Sequence, residues 1–399
     1  MDFSFTEEQQ SLRMKCREFL RREILPTVEH YDEAEEFPWE NMRKMAAEGF
    51  LGWLTPRELG GRGFGEVEYG ILLEELGRVC SAHAAIVGAH VGLCTVPLLL
   101  MGNNEQRRKY LPKLAVGEKL GAFALTEPTA GSDAASLKLS ATKKNGRYIL
   151  EGSKIFVTNG NVADIVIVFA STDPNLGPRG GITAFIVEKD TLGFRPGKIE
   201  KKMGIRASTT AELIFRGCEV GEENILGPVG FGFPIALTTL DGGRVGLAAA
   251  ALGSIEYAMD LVVEHLRKKK KLRLSTPLDQ DAPMALADIA MNARTARFLV
   301  YHTLAEMDAY FKRIVRGEKV PGHERSRVTR NSAIAKAWVS EIASSAIEKC
   351  LAIHGPLGCI EGSGVEKLYR DSLISEIFEG TNEIQRLIIA ENIISEEKQ

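Results

Sequence analysis

The spacing of apolar residues changes twice along this chain, and this double change limits the folds that the chain can adopt. Up to about residue 115 the apolar positions recur with the period of an α-helix, as Leu12, Cys16 and Phe19 illustrate. From about residue 121 there are runs of β-branched and aromatic residues, such as 165–169 and 182–187. The helical period returns near residue 232. The sequence therefore predicts helices, then strands, then helices.

This order of segments predicts an α+β protein with three domains. Strands that follow one another without intervening helices favour an antiparallel sheet, and Asn145-Gly146 between two apolar runs is a strong hairpin signal. The expected parts are an N-terminal helical domain at 1–118, a middle antiparallel β domain at 119–231 and a C-terminal four-helix bundle at 232–399. The four expected helices of the bundle span about 232–269, 282–316, 325–353 and 365–395.

Charge, cysteine content and hydropathy narrow the cellular setting. The 50 basic and 53 acidic side chains give a net charge of −3, which provides no general attraction for nucleic acids or anionic membranes. The six cysteines are scattered, so a reducing compartment is expected. No apolar run approaches the roughly 20 residues that span a bilayer, and the first residues do not resemble a signal or transit peptide. These features predict a cytoplasmic protein without a nucleic-acid or membrane partner.

Several common kinds of site are not indicated by the sequence. The Gly-rich loops at 60–65 and 227–232 lack the third glycine of a G-x-G-x-x-G motif, and neither a Walker loop nor a G-x-S-x-G motif occurs. Two cysteines and two histidines would share one helical face, but the outer pair, Cys80 and Cys94, would lie roughly 21 Å apart on a helix. Because zinc ligands lie about 2.0–2.3 Å from the metal, no metal site is expected.

The segment 124–133, with the sequence ALTEPTAGSD, is more informative. It predicts a hydroxyl-rich turn whose backbone N–H groups and small side chains could approach a phosphate or a polar ring edge. The alternative is a plain loop that caps a helix at Ser132 or Asp133.

Further motifs follow in order along the chain. They are KIFVTNG at 154–160, MGIRASTT at 203–210, LDGGR at 240–244, YRD at 369–371 and IFEGTNEIQR at 377–386. At these residues and at 124–133 the sequence resembles the acyl-CoA dehydrogenase family, and it is closest in pattern to the short-chain, butyryl-type members. The resemblance covers nearly the whole chain.

The resemblance implies an FAD enzyme that oxidises a short- or medium-chain acyl-CoA to the trans-2-enoyl-CoA. Members of the family bind FAD non-covalently between the β domain and the C-terminal helices, usually as a homotetramer built from dimers, and pass electrons to an electron-transfer flavoprotein. Phe156 would stack on the flavin and Thr158 would bond the ring near N5. The implied contacts near the flavin are Leu125, Thr126, Ser132, Phe156, Thr158, Thr381 and Glu383. The implied substrate contacts are Ser132, Asp241, Arg244 and Gly380.

Glu379 is the catalytic base that the resemblance implies. Desaturation needs a base at the α carbon and a hydride acceptor, flavin N5, at the β carbon. The developing enolate must be stabilised by hydrogen bonds, which in the family come from a flavin ribityl hydroxyl and the backbone N–H of the base. An apolar pocket would raise the pKa of Glu379 toward that of an effective base. Some relatives place the base immediately before the residue that matches Arg244; that position holds Gly243 here, which favours Glu379.

The sequence departs from the family where the ADP half of a partner subunit's FAD would bind. The family has an Arg-x-x-Phe-Gly stretch and a Gln-x-x-Gly-Gly motif at this half-site, and neither is intact here. A run of basic residues could replace the lost charge without the bidentate geometry of arginine. The residues at the family positions are Lys269, Leu272, Arg273, Gln280, Ala352, Gly355 and Pro356, and of these Lys269, Arg273, Gln280 and Gly355 are the expected FAD contacts.

Two other kinds of function stay open on the sequence. The first is a related flavoenzyme: an acyl-CoA oxidase, an enoyl-CoA reductase or a dehydrogenase of a carrier-protein thioester. The second is a CoA-ester-binding protein that has lost FAD, which the altered ADP half-site suggests. Oxygen reactivity of the reduced flavin would separate an oxidase from a dehydrogenase, and a colourless protein would indicate the loss of FAD.

Overall fold

The N-terminal part of the chain is a set of helices around a shared core. The computed structural model of the protein describes residues 4–271 and 281–396. The first helix, α1 (Glu7–Phe19), begins at a capping box in which the Thr6 hydroxyl accepts from the backbone N–H of Gln9 at 3.2 Å and the Gln9 side chain accepts from the N–H of Thr6 at 3.1 Å. The other helices of this part are α2 (Val28–Ala34), α3 (Trp39–Ala47), α4 (Glu66–Val79), α5 (Ser81–Val87), α6 (Val96–Met101) and α7 (Asn104–Ala115).

A π-helical segment, Gly88–Thr95, joins α5 to α6 and makes Ser81–Met101 one continuous helical run. This run and Gly232–Lys270 are each long and apolar enough to cross a membrane, so the expectation that no apolar run approaches that length was wrong. However, 72% and 67% of their apolar windows are buried inside the protein. Burial on this scale is typical of core helices, which need the same apolar composition.

The middle part is an eight-stranded sheet that consists of β1 (Gly121–Ala124), β2 (Ser140–Lys144), β3 (Arg147–Thr158), β4 (Ile165–Ser171), β5 (Ile182–Glu188), β6 (Phe194–Ile199), β7 (Thr210–Gly221) and β8 (Ile225–Leu226). The strand order is β6-β7-β3-β2-β4-β5-β8, and β1 adds to β4. Most pairs are antiparallel, as predicted, whereas β4 pairs in parallel with β1 and, at a single position, with β2. The predicted hairpin at Asn145-Gly146 is confirmed: both residues have positive φ, 52° and 76°, and they join β2 to β3.

The C-terminal part returns to helices, and its last predicted segment is divided. The expected single helix at 365–395 was wrong, because a 3-10 turn, Leu373–Glu376, and a left-handed turn interrupt it. Glu379 and Gly380 have φ of 60° and 89°, which a right-handed helix cannot accommodate. The helices are α8 (Gly232–Lys271), α9 (Ala282–Val315), α10 (Gly322–His354), α11 (Val365–Ser372) and α12 (Asn382–Glu396).

Helices α4 and α8 cross at close range and unite the N-terminal and C-terminal helices in one core. A Cβ on Gly77 would lie 2.0 Å from the carbonyl oxygen of Ala250, and a Cβ on Gly253 would lie 2.0 Å from that of Glu74. Only glycine permits this approach. The crossing brings α5 and the π-helical segment alongside α8, where the main cavity opens.

Candidate active site

A cavity lies between the N-terminal helices, α8, α10 and the turn after α11. Glu379 and Thr158 both line it, so it brings together the C-terminal turn and the end of β3. Most of its wall is small or apolar, which suits an acyl chain rather than a charged ligand. Other lining residues include Tyr69, Leu73, Gly92, Leu93, Gly243, Gly246, Ile374 and Phe378.

Glu379 enters the cavity from a strained turn. Its φ of 60° lies in the left-handed region that non-glycine residues rarely adopt, and Gly380 follows with a φ of 89°. The buried amide of Gln385 stabilises this backbone, because its Nε2 donates to the carbonyl oxygen of Glu379 at 3.2 Å and to that of Gly380 at 2.9 Å. Thr381 then accepts the N–H of Ile384 at 3.4 Å, where α12 begins.

The electrostatic setting of Glu379 favours proton uptake near neutral pH. Its Oε2 is buried and has no hydrogen-bond partner in the described part of the chain. Burial raises the pKa of the carboxyl from 4.5 to about 7, while the cations of Arg244 and Lys336 act in the opposite direction. A carboxylate with this pKa can accept a proton from a carbon acid at physiological pH.

Asp241 and Arg244, expected to contact substrate, are paired with each other beside Glu379. Arg244 Nη1 lies 2.7 Å from Asp241 Oδ1, and both side chains are buried. Thr329 donates to the other carboxylate oxygen of Asp241 at 2.7 Å, and Arg244 Nε lies 3.5 Å from the carbonyl oxygen of Glu379. Burial raises the pKa of Asp241, and the Arg244 charge opposes this shift. The pair therefore supports the wall of the cavity next to the predicted base.

The loop that begins at Leu125 is attached to β3 by a buried ion pair. Lys154 Nζ donates to the carbonyl oxygen of Leu125 at 2.9 Å and to the carboxylate of Glu127 at 2.7 Å. The backbone N–H of Ile155 donates to the carbonyl oxygen of Thr126 at 2.9 Å. These contacts set the loop beside the segment that carries Phe156. Lys154 and Glu127 lie inside motifs that the sequence singled out, yet no role was predicted for either.

The surface of this loop is open, as ligand binding requires. Ser132 is exposed, and the short 3-10 helix Ala134–Ser136 has no side-chain cap from Asp133. The alternative prediction, in which Ser132 or Asp133 caps a helix, is therefore wrong. A Cβ on Gly131 would meet nothing within 4 Å.

Phe156 occupies an irregular position in β3. The register between β3 and β7 shifts between Lys154 and Val157, and Phe156 has a φ of 55°. The shift turns the aromatic ring outward, where it is 62% exposed. Thr158, two residues later, lies at the cavity. The irregularity thus presents an exposed aromatic ring two residues before Thr158, which lines the cavity.

The remaining predicted residues lie away from the cavity lining. Glu383 is exposed on the first turn of α12, and hydrogen bonds from its own backbone N–H and Thr381 lower its pKa. Lys269 lies near the end of α8 and Gly355 directly follows α10. These helix ends meet where the rings of His265 and His354 are 4.3 Å apart. Leu272, Arg273 and Gln280 lie outside the described residues.

Lys336 and Gln385 are two residues at the site for which the sequence analysis predicted no role. Gln385 falls inside the last motif, but Lys336 lies in a helix without any motif. A lysine on an apolar helix face was the only available signal, and most such lysines reach solvent. No group of three or more histidine, cysteine or acidic side chains within 4–271 and 281–396 is arranged to hold a metal ion.

Comparison with known proteins places these features in one family. Three models match consecutive parts of the chain: the acyl-CoA dehydrogenase N-terminal domain at 6–118, the middle domain at 122–218 and the C-terminal domain at 230–394. The short-chain-specific acyl-CoA dehydrogenase of Clostridium acetobutylicum is 41% identical, over 98% of this chain and 100% of its own. Acryloyl-CoA reductase (NADH) of Anaerotignum propionicum is 40% identical, over 99% of this chain and 96% of its own.

Solved structures agree with the sequence comparison. Butyryl-CoA dehydrogenase from Megasphaera elsdenii is similar with a TM-score of 0.90 and 38% identity, covering 99% of this chain and 100% of that one. A chain from the structure of the electron transferring flavoprotein of Acidaminococcus fermentans has a TM-score of 0.91 and 39% identity, with coverage of 99% and 100%. This chain therefore belongs to the acyl-CoA dehydrogenase family of FAD-dependent oxidoreductases that act on CH–CH groups.

Proposed function

We propose that this enzyme oxidises a short- or medium-chain acyl-CoA to the trans-2-enoyl-CoA, with Glu379 as the base. The observation that carries the proposal is the buried carboxylate oxygen of Glu379, which lies unpartnered among the described residues and faces an apolar cavity. An unpaired buried acceptor of this kind is costly in a resting fold and is typical of a site that awaits a proton.

The residues around the cavity fit a flavin. Phe156 offers an exposed ring two residues before Thr158, and Ser208 Oγ and Thr209 Oγ1 are buried without partners in the described part of the chain. The backbone of Asn159 bonds to that of Thr209, which sets these hydroxyls next to the end of β3. Together with Thr126, Ser132 and Thr158, they would hold FAD, and the bound FAD would accept the hydride from the β carbon.

The chain's own residues would handle the proton and the thioester. Glu379 would remove the proton from the α carbon, and the charges of Arg244 and Lys336 would keep it ionised. The backbone N–H of Glu379 donates to no acceptor within 4–271 and 281–396, so it is available to the thioester oxygen. The apolar wall would exclude water and strengthen both interactions.

The substrate class follows from the charges at the cavity. Its described lining contains the carboxyl groups of Glu379 and Asp371 and no lysine, arginine or histidine. A second carboxylate on the substrate would meet no cation there and would lose its hydration. We therefore expect uncharged acyl groups of about C4–C8, in keeping with the butyryl-type pattern.

Electrons would pass to an electron-transfer flavoprotein, and the enzyme would act in the cytoplasm as a homotetramer. Similarity to the butyryl-CoA dehydrogenase and to the chain from the flavoprotein structure supports the electron acceptor. Exposed apolar side chains on α9, α10 and α12 support association between copies of the chain. Light scattering should then give four times the mass of one chain. The side chains concerned are Met284, Met291, Trp338, Leu387 and Ile394.

A reductase is the second candidate, because the acryloyl-CoA reductase is nearly as similar, at 40% identity, as the short-chain-specific dehydrogenase at 41%. Both directions use the same base and the same cavity, so the site geometry is shared. Oxidation of the dithionite-reduced enzyme by crotonyl-CoA, compared with reduction of the oxidised enzyme by butyryl-CoA, gives the position of the equilibrium on the flavin. The physiological electron carrier then decides the direction.

One anaerobic experiment tests the proposed function. The visible spectrum of the purified holoenzyme is recorded while butyryl-, hexanoyl-, octanoyl- or glutaryl-CoA is added. We expect the oxidised flavin band to bleach with the three neutral substrates and much more slowly with glutaryl-CoA. A colourless protein, or one that no acyl-CoA bleaches, would rule out the dehydrogenase, and a preference for glutaryl-CoA would overturn the assigned substrate class.

A further inference from the structure

Lys336 is a fully buried lysine on α10 whose ammonium group reaches the turn that carries Glu379. Its Nζ donates to the carbonyl oxygen of Glu376 at 3.0 Å and to the side-chain oxygen of Asn382 at 2.6 Å. These two acceptors stand on either side of the left-handed turn. In the described part of the chain both of its hydrogen-bond acceptors are uncharged, so the positive charge of Lys336 is not neutralised by direct contact.

Further hydrogen bonds hold Asn382 and the backbone of the left-handed turn. Asn382 Nδ2 donates to Ser340 Oγ at 2.9 Å, and Ser340 lies one turn after Lys336 on α10. Gln385 holds the carbonyl oxygens of Glu379 and Gly380 from α12. The turn is therefore held between α10 and α12, and Lys336 supplies the contact to Glu376, which precedes the turn.

Burial of an ammonium group without a paired carboxylate is unfavourable, so its presence calls for a reason. Burial lowers the pKa of Lys336 to about 8, whereas the carboxyls of Glu379, Glu376 and Glu383 raise it and Arg244 lowers it. Lys336 in turn lowers the pKa of Glu379, as Arg244 does. These are the charged groups that face Lys336 and Glu379. Among the carboxyls, that of Glu379 contributes most to keeping Lys336 protonated.

We propose that Lys336 is a positioning residue for the reaction: it holds the left-handed turn in place, and its charge keeps Glu379 ionised at neutral pH. The inference rests on the proposed role of Glu379 as the base. It assigns to α10 a part in catalysis that no sequence motif indicates. It also explains why a cation is kept in the core rather than an apolar side chain of similar length.

The test is the pH dependence of flavin reduction by butyryl-CoA, measured under anaerobic conditions with the holoenzyme. Lys336→Gln removes the charge, Lys336→Arg keeps it, and Lys349→Gln on the same helix is the matched control, since Lys349 pairs with Asp288 at the surface. In Lys336→Gln we expect the acid limb of the profile to move upward by about one pH unit. In Lys336→Arg and Lys349→Gln the limb should stay at the wild-type position.

Flavin content and the thermal midpoint of each variant show whether it is folded. If Lys336→Gln does not fold, Asn382→Ala provides the second test, because it removes an acceptor and leaves the charge. We expect its rate to fall about tenfold or more at every pH, as misplacement of a reacting group requires, with no movement of the limb. Asn382→Ala at the wild-type rate would contradict the positioning role.

An unshifted acid limb in folded Lys336→Gln would contradict the electrostatic role, even if the rate fell. A shift of the same size in Lys349→Gln would contradict it as well, because the effect would then not be local. Failure of the proposed function would look different: the wild-type flavin would not be reduced by any acyl-CoA, or the reduction would have no acid limb near pH 7.

Discussion

A Cβ on Gly243 would lie 2.7 Å from Oε2 of Glu379. The same Cβ would lie 2.9 Å from Cδ2 of Leu93, so the carboxylate and the leucine together fill the space that a side chain at position 243 would need. The sequence shows only that Gly243 has no side chain that could act as a base. The structure adds a steric reason: a side chain there would displace Glu379, so the two possible base positions exclude each other.

Gly243→Ala should therefore impair catalysis more than stability. The added methyl group pushes the carboxylate away from its position, and we expect flavin reduction by butyryl-CoA to slow roughly 10–100-fold. Alanine favours the helix by about 1 kcal/mol, which offsets part of the strain. Gly322→Ala, where a Cβ meets nothing within 4 Å, is the control. An unchanged rate in Gly243→Ala would mean that Glu379 does not react from the observed position.

Replacement of the base should separate binding from chemistry. In Glu379→Gln the amide keeps the shape of the carboxylate, so FAD and acyl-CoA should still bind. Flavin reduction should fall by at least about 10²–10⁴-fold, as expected for a lost general base. Glu348→Gln, a substitution of the same kind on the exposed face of α10, should have no effect. If the flavin of Glu379→Gln is reduced at the wild-type rate, the base is another group.

The same substitution should stabilise the folded protein at alkaline pH. The pKa of Glu379 in the folded state, about 7, exceeds its ordinary value of 4.5. The stability that the neutral carboxyl contributes is thus fully present below pH 4.5 and is lost as the pH rises through 7. Glutamine stays neutral, so Glu379→Gln should gain on the order of 1–3 kcal/mol at pH 8 and little at pH 5. Denaturant unfolding at both pH values measures the difference; equal gains would indicate an effect unrelated to ionisation.

The buried pair of Lys154 and Glu127 should control both stability and flavin retention. Lys154→Met leaves the carboxylate of Glu127 buried without its cation, which typically costs about 3–5 kcal/mol. The loop at 125–133 then loses its attachment to Lys154, so FAD should dissociate more readily. The double variant Lys154→Met with Glu127→Leu should recover part of the stability but not the FAD affinity. Recovery of both would show that the pair does not order the loop.

Retention of FAD should depend on salt. At the predicted ADP half-site, lysine would supply charge in place of a bidentate arginine, and partly exposed charges are screened within about 8–10 Å at ordinary ionic strength. Flavin occupancy after dialysis should therefore be lower at high salt, and lower still in Lys269→Ala with Arg273→Ala. Addition of FAD should raise the thermal midpoint of any sample that has lost cofactor. Full occupancy of wild type and variant at both salt concentrations would show that this basic segment does not hold the cofactor.

Several features of the protein were determined by the sequence alone, because their causes are local. The alternation of helical and strand periods predicted the order of the three parts, and Asn145-Gly146 predicted the hairpin between β2 and β3. The motif around Glu379 was also recognisable, since its residues are consecutive. The glycine at position 380 indicated a flexible backbone there. The sequence did not show that a turn at Glu379 and Gly380 interrupts the helix predicted across them.

Tertiary structure decided the properties of the site. Glu379, Gly243 and Lys336 come from distant parts of the chain, and only the packing of α8, α10 and the turn after α11 brings them together. Packing also decided that the apolar run Ser81–Met101 is a core helix and that β1 pairs in parallel with β4. The physical reason is that burial, steric exclusion and the mutual effects of charges depend on distances through space, whereas periodicity and turn chemistry depend on neighbours along the chain.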